Sequence, residues 1–567
     1  MKKNWLFKNA PDNKSKQLHD ELNIHPSLCQ ILVQRGYPDY NSARHFFRPD
    51  LNDLHSPWLM KDMLKAVQRI IAATEKKERV LIYGDYDVDG TTAVASFFQF
   101  MEKIHPREFL EFYIPHRYRE GYGVSKTGID YAHQHGFTLM ITLDCGIKSV
   151  ELIQYAATLG IEFIVCDHHL PGNELPPAVA ILNPKQSDCS YPFKELCGCG
   201  VGFKLMSALA EQLKLDNQSF LEYLDLVAIA IAADIVSMTG ENRILAYHGL
   251  KKINSDPSTG IRSLLKLAGA PDTLTIHHVV FLIAPRINAA GRMDDAKKAV
   301  LLFAEKDAST ALEMAEALQS DNTERKETDQ SITKEALELI EKDPDFANKK
   351  STVLFQEHWH KGVVGIVASR VIEHYYKPTI ILTQSDGLLT GSARSVKGFN
   401  LYEAIYACKE HLNAFGGHFA AAGLSLLPEK LEAFRQMFEQ VVSERIEQDS
   451  LIPTIEIDAE IPIQDIQPTI FRIIQQMQPF GPDNMRPIFV AKNVRDSGLS
   501  KIVKEQHIRF DLIQSNARIN GIGFNLAKHI SIVKSNQPFD IVFHIDENHF
   551  NNQTTLQVQV LDVKSSN

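Results

Sequence analysis

Three aspartates fall within five residues at Asp85-Tyr-Asp87-Val-Asp89-Gly90, and so dense a run of carboxylates repels itself unless a cation neutralises it. The run matches the opening of a calcium-binding EF-hand loop. Its twelfth position is Ser96 rather than Glu, however, and an apolar β-branched run precedes it rather than a helix. Calcium binding of that kind is disfavoured. What remains is a metal site or, as the plainer reading, a solvated turn whose aspartates cap a helix.

Three further groups have the same character. Asp144 follows the apolar run Ile-Thr-Leu, where a carboxylate is expensive unless paired or coordinating; alone it reads equally as a helix cap. Asp167-His168-His169 follows Phe-Ile-Val-Cys, and a carboxylate beside two imidazoles favours Mn²⁺, Zn²⁺ or Fe²⁺ over Ca²⁺. Asp234 is a single charge in the apolar stretch 228–235 and needs a partner. Together the four groups supply ligands for two cations sharing a bridging carboxylate. Such a pair, about 3.5–4 Å apart, polarises a phosphoryl oxygen and turns bound water into a nucleophile near neutral pH. Phosphoester hydrolysis is the matching reaction. No GxxxxGK[ST] occurs in the chain, which disfavours an ATP-driven motor.

Positioning these groups requires a scaffold that delivers them to one edge. Between residues 78 and 240, β-branched runs at 79–83, 109–114, 138–143, 162–166 and 179–182 alternate with helical patterns, the signature of a parallel sheet covered by helices. The aspartates, Asp144 and the Asp-His-His triplet each follow one of those runs, where open α/β sheets bind ligands. From 293 to 343 there is neither Gly nor Pro, so one long helix or two stacked ones is expected. Its apolar spacing lapses over 321–330, predicting a solvated middle between two domains. A second α/β pattern spans 352–448, with strands at 352–355, 379–382 and 388–393. After Pro479-Phe480-Gly481-Pro482 come short strands at 507–513, 518–524, 539–545 and 555–563, which suggest a small β-barrel.

A chain of 567 residues exceeds what one core normally supports, predicting two to four domains. With 44% hydrophobic and 23% charged residues it is a folded protein, not a disordered one. The first residues lack the apolar core of a signal peptide, no run is long enough to span a membrane, and the seven cysteines are odd in number and scattered, so a reducing, cytoplasmic location is expected. Cys189, Cys197 and Cys199 lack the CxxC or His pair of a zinc site. The net charge of −10 decides nothing, because an acidic protein can be basic in one groove.

In order along the chain, Gly84-Asp-Tyr-Asp-Val-Asp-Gly90, Leu143-Asp-Cys-Gly146, Asp167-His168-His169 and Ala233-Asp-Ile235 resemble the four N-terminal motifs of the DHH phosphoesterase superfamily. Ala284-Pro-Arg-Ile-Asn-Ala-Ala-Gly-Arg292, Trp359-His-Lys-Gly-Val-Val-Gly-Ile366, Gly391-Ser-Ala-Arg394 and Phe415-Gly-Gly-His418 are similar to motifs of its single-strand-specific exonucleases. The likeness covers nearly the whole chain. It implies an N-terminal helical segment over 1–60, a parallel-sheet DHH catalytic domain over 61–250, and a helical region with the connecting long helix over 251–345. A smaller α/β (DHHA1) substrate-binding domain over 346–450 and a linker with an OB-like barrel over 451–567 complete this multidomain α/β plan.

By resemblance, Asp87, Asp89, Asp144, His168 and Asp234 hold two divalent cations, Mn²⁺ or Mg²⁺, with Asp144 bridging. His169 sits beside the scissile phosphate, and Asp85 supports the catalytic group. Where simpler members carry a metal-binding His, this chain has Tyr83. Arg370, Ser392 and Arg394 hold a terminal phosphate, a task suited to the planar fork of arginine; a surface ion pair is the plainer role for either arginine. Gly416 and Gly417 admit a close backbone approach and His418 donates a hydrogen bond, unless the glycines simply turn the chain. Arg117 and Arg286 contact the strand backbone.

In the barrel, Phe510, Phe524, Phe543 and Phe550 are candidate stacking platforms, although most phenylalanines of a small barrel are core. Phe550-Asn551-Asn552 stands where relatives often have Trp-Asn-Gly. The expected activity is 5′ to 3′ exonucleolytic removal of 5′-mononucleotides from single-stranded DNA, in DNA repair and recombination. A helicase or single-strand-binding protein is the expected partner, with no membrane and a monomeric chain. The rivals are a DHH-type phosphodiesterase or oligoribonuclease acting on short oligonucleotides, against which the extra barrel argues, and an inactive single-strand-binding scaffold, against which the intact ligand set argues.

Overall fold

The computed structural model describes residues 2–550 and 553–566, with only the backbone of Phe550. The chain forms two compact units. The larger is built from Leu6–Gly291, Asp295–Leu318 and the chain from Glu456 onward; the smaller is built mainly from Gln319–Ile455.

The larger unit is organised by a five-stranded, all-parallel sheet. Its strand order is Leu110–Tyr113, Val80–Gly84, Leu139–Leu143, Glu162–Cys166, Ala180–Leu182. All five strands coincide to within a residue or two with the expected runs. Both faces are buried. Val80, Ile82, Ile141 and Ile164 pack into one core, and Leu81, Tyr83, Met140 and Phe163 into another on the opposite face, so the strands read as continuous apolar runs. The chain order 2-1-3-4-5 reverses direction between Val80–Gly84 and Leu139–Leu143, and the crevice beyond the carboxyl ends of such a pair is where a doubly wound sheet binds its ligand.

In the same unit, strands Phe489–Asp496, Phe539–Phe550, Gln553–Ser565, Ala517–Gly523 and His507–Gln514 pair in that order, and the last returns to the first. Closure removes the exposed edges an open sheet would carry. The barrel shares its core with the start of the chain: Leu28, Ile31, Leu32 and Phe46 pack with Phe489, Phe510, Phe543 and Val558. Arg243 fastens this assembly to the helices beneath the parallel sheet. Its guanidinium donates to the carbonyls of Phe46, Met477, Gln478 and Pro479 at 2.9–3.2 Å and lies 4.0 Å over the Phe46 ring. Phe510 and Phe543, proposed as stacking platforms, are fully buried. Phe524 is exposed; the Phe550 side chain and Asn551-Asn552 lie outside the described residues.

The smaller unit holds a mixed sheet in the order Ala414–Gly417, Ala421–Leu426, Leu388–Arg394, Thr379–Ser385, Thr352–Phe355. The first two strands escape a sequence reading because glycine and alanine carry no β signal. The Gly- and Pro-free stretch gives helices Lys297–Ala304 and Ala308–Glu341, separated where Asp307 accepts from the Thr310 amide. The expected solvated middle of the second helix holds on one face only: Glu324, Lys326 and Glu327 are exposed, while Asn322 and Asp329 are fully buried and Arg325 nearly so. Arg325 bridges Asp329 at 2.8 Å and Asn322 at 2.7 Å, a paired network that can leave water where isolated charges cannot. All seven cysteines are free and buried. Among the described residues, no helix is long and apolar enough to cross a membrane.

Candidate metal centre and phosphate site

The first aspartates occupy the turn between strand Val80–Gly84 and helix Val88–Met101. Asp87 caps that helix, accepting from the Gly90 amide at 3.0 Å. The turn is tight because Gly90 has no side chain: a Cβ there would lie 2.4 Å from the Asp85 carbonyl oxygen. Asp144 ends strand Leu139–Leu143 in the left-handed region, φ 63°, a conformation that costs about 1 kcal/mol for a non-glycine residue. Its amide donates to the Cys166 carbonyl at 2.9 Å and the Asp167 amide to the Leu182 carbonyl at 3.0 Å, so neighbouring strands hold both loops. Asp234 closes helix Leu224–Ala233, and Ile235 after it takes φ 58°.

These elements converge on one imidazole. His168 Nε2 lies 3.1 Å from Asp144 Oδ1, 3.6 Å from Asp234 Oδ2 and 3.9 Å from Asp89 Oδ2. Burial, then the neighbouring His169, pushes His168 down to about 3, leaving the neutral ring that ligates metals. Burial and like charge push the carboxyls the other way: Asp89 to about 7, Asp234 to about 9, and Asp144 well above the carboxylate range. Asp144 Oδ1 and His168 Nε2 are buried without a hydrogen-bond partner. Orphaned lone pairs among repelling carboxylates fit divalent cations, which would satisfy the lone pairs and neutralise the charge.

Asp167 has a different task. Burial alone would raise it, but the His169 ring, at 2.7 Å from Asp167 Oδ1, and backbone amides hold it at about 2. It thereby fixes the His169 ring, whose Nε2 lies 3.0 Å from the Tyr122 hydroxyl. Asp85 is fully buried, with one oxygen 3.4 Å from the Gly123 amide. Tyr83 is a core residue whose hydroxyl donates to the Gly123 carbonyl at 2.9 Å. Arg117 lies 4.6 Å over the Tyr86 ring. Arg286 is largely buried, bonded to the Leu282 carbonyl.

Two contributors escape a reading of charged residues. Tyr122 sits between Gly121 and Gly123, both at positive φ, and those flanking glycines are its only sequence signal. The other is the amino end of helix Gly198–Gln212: the Gly198 and Cys199 amides donate to the two Asp89 oxygens at 2.6 and 2.7 Å. A Cβ on Gly198 would lie 2.5 Å from Asp144. In Cys197-Gly-Cys-Gly-Val-Gly202 the informative residues are therefore the glycines, which admit the helix end to the carboxylates.

In the smaller unit, Ser392 and Arg394 are two apart on strand Leu388–Arg394 and share a face; Arg394 Nη1 donates to Ser392 Oγ at 2.7 Å. Helix Val364–His374 begins against them, since a Cβ on Gly365 would lie 2.9 Å from Arg394 Nη2 and 3.0 Å from Ser392 Oγ. Arginine, hydroxyl and the amino end of a helix are a set of anion donors. Arg370, on the same helix, pairs with buried Asp329 at 2.8 Å. Gly416 is open to solvent. Gly417 serves strand pairing, since a Cβ there would lie 2.4 Å from the Ala421 carbonyl oxygen. His418 is exposed, its amide bonded to the Ala421 carbonyl at 2.8 Å.

Comparison with known proteins finds three family matches along the chain. Residues 79–231 match the DHH family, N-terminal domain; residues 348–444 match the DHHA1 domain; residues 457–562 match the RecJ OB domain. The chain is 34% identical over 569 residues, 100% of its length and 71% of the relative's, to the single-stranded-DNA-specific exonuclease RecJ of Bacillus subtilis strain 168. The crystal structure of RecJ in complex with Mn²⁺ from Thermus thermophilus superimposes with a TM-score of 0.85 at 26% identity, covering 100% of this chain and 80% of that one. The Mg²⁺ complex from the same organism gives 0.80 at 25% identity, covering 100% and 79%.

Proposed function

The chain belongs to the RecJ family of single-stranded-DNA-specific exonucleases, and on that premise we propose that it removes nucleotides from single-stranded DNA ends by metal-dependent phosphodiester hydrolysis. The observation that carries this reading is the meeting of Asp144 Oδ1 and His168 Nε2 at 3.1 Å among carboxylates, neither atom with a hydrogen-bond partner. Asp87, Asp89, Asp144, His168 and Asp234 are the residues that would hold two cations, Mn²⁺ or Mg²⁺, Asp144 serving both. When bound, the pair supplies Lewis acidity and a water acidic enough to attack near neutral pH.

The residues around that centre have separable roles. The helix end at Gly198 orients Asp89, and Asp167 holds the His169 ring so that its Nε2 faces the scissile phosphate together with the Tyr122 hydroxyl. Asp85 supports the turn that carries Asp87 and Asp89. Ser392, Arg394, Arg370 and the Gly416-Gly417-His418 segment recognise a 5′-terminal phosphate, so degradation runs 5′ to 3′ and releases 5′-mononucleotides. Arg117 and Arg286 steady the strand backbone, and the barrel holds the strand beyond the cut. Such an activity serves DNA repair and recombination in the cytoplasm, on strands exposed by a helicase or covered by a single-strand-binding protein. An oligoribonuclease acting on dinucleotides would have little use for the barrel, and an inactive scaffold would not need the complete ligand set.

The test uses single strands labelled at either end, with and without a 5′ phosphate, in Mn²⁺, Mg²⁺ or EDTA. Stepwise loss from 5′-phosphorylated ends in either metal, none in EDTA and little on duplex is expected. Loss from the 3′ end, or cuts in a circular strand, would overturn the polarity.

A further inference from the structure

Beside the metal centre, within the larger unit, runs a groove of about 720 Å³ lined by residues that no role above accounts for. Ile235, Phe281 and Met485 project into it 67%, 60% and 61% exposed, although large apolar side chains are normally withdrawn from water or grouped at a binding surface. Two backbone irregularities converge there. Ile235, directly after Asp234, holds φ 58°, an outlier for a β-branched residue and a strain that persists at functional sites. Val279–Ile283 is a π-helical turn in which the Ala284 amide bonds to the Val279 carbonyl. Its sequence cause is Pro285, which has no amide to offer the Phe281 carbonyl. On this widened turn the Phe281 ring lies against His277, centroids 4.4 Å apart at 38°. Gln478 and Arg486 line the same groove.

We infer that this groove is a nucleobase-stacking subsite, in which Phe281 with His277 forms the platform for bases of the single strand adjoining the scissile phosphate. The inference rests on the reading of single-stranded DNA as substrate. Flat apolar rings suit a sequence-tolerant contact because every base has a π-face. Glutamine amides in the lining suit base edges, while Arg486 is held by Asp546 at 3.1 Å and by the Ile545 carbonyl at 2.6 Å. Ile235 in the lining follows the proposed ligand Asp234 directly in the chain, which favours the strand at the reacting phosphate over a protein partner as occupant.

The test is a cycle between protein and substrate. KM and kcat are measured for the wild type and for F281A on a 5′-phosphorylated oligothymidylate and on versions carrying an abasic nucleotide at each successive position from the 5′ end. F281L, which keeps the apolar bulk, separates stacking from mere burial. Because Phe281 is mostly exposed, its replacement is tolerated by the fold, which a melting curve checks. Stacking worth about 1–3 kcal/mol per base corresponds to about a 5- to 150-fold rise in KM for F281A, with F281L close to F281A. One or two abasic positions should raise KM in the wild type and add nothing in F281A. If the wild type degrades single strands and F281A matches it, or the abasic penalty persists undiminished in F281A, the groove binds something other than bases and the inference falls. If the wild type itself fails to degrade single strands, the reading beneath it falls instead.

Discussion

An Asp144→Ala variant is expected to lose single-strand hydrolysis by roughly three to four orders of magnitude, the effect of removing about 4–5 kcal/mol of transition-state stabilisation. Of the three carboxylates around His168 Nε2, Asp144 approaches closest, at 3.1 Å against 3.6 Å for Asp234 and 3.9 Å for Asp89, which is the ground for proposing it as the ligand common to both cations. The loss should not arise from unfolding, and the sign can be worked out. Burial and the facing carboxylates raise Asp144 well above its ordinary pKa, which means that at neutral pH its ionised form opposes folding. Without metal, the alanine removes that penalty and retains only the cost of about 1 kcal/mol for a left-handed alanine. Melting in EDTA should therefore be unchanged or higher than wild type, while the stabilisation by added Mn²⁺ should largely vanish. A folded variant with near wild-type turnover would refute the assignment.

The second large effect is expected at Arg394. Its guanidinium donates to Ser392 Oγ and to the Ala393 carbonyl and stands against Gly365 at the start of a helix, a donor set suited to an anion. Hydrogen bonds to a charged group contribute about 1.5–3 kcal/mol, so Arg394→Ala should lower kcat/KM on 5′-phosphorylated strands by about 10- to 100-fold. The rate on 5′-hydroxyl strands should change far less, and Mn²⁺ affinity not at all. Lysine should restore only part of the loss, since a point charge lacks the bidentate fork. Equal losses on both kinds of end would mean that Arg394 maintains structure instead of reading the phosphate.

Much of this architecture was legible in the chain because the parallel sheet is buried on both faces. Each of its strands is an unbroken apolar run, and the groups that follow, Asp85 to Asp89, Asp144 and Asp167 to His169, stand out as polar breaks. What stayed hidden depends on contacts distant in sequence. Leu28 and Phe46 give no local sign that they pack against Phe489 and Phe543, because an amphipathic helix shows that it has a partner and not which one. The polar stretch around Arg325 and Asp329 reads as solvated until Arg370 is placed beside it at 2.8 Å; mutual pairing, which the sequence does not display, makes its burial affordable. Gly198 and Tyr122 escaped for a third reason. Their roles come from a missing side chain and from loop geometry, neither of which charge or periodicity records.

The account depends most on two cations meeting at Asp144, and anomalous diffraction from crystals of the full chain soaked in Mn²⁺ tests that most directly. Two manganese peaks about 3.5–4 Å apart are expected, both within coordination distance of the Asp144 carboxylate, one also near Asp87 and Asp89 and the two sharing His168 and Asp234 between them. A single peak, or manganese bound away from these residues in crystals of protein that still degrades single strands, would contradict it.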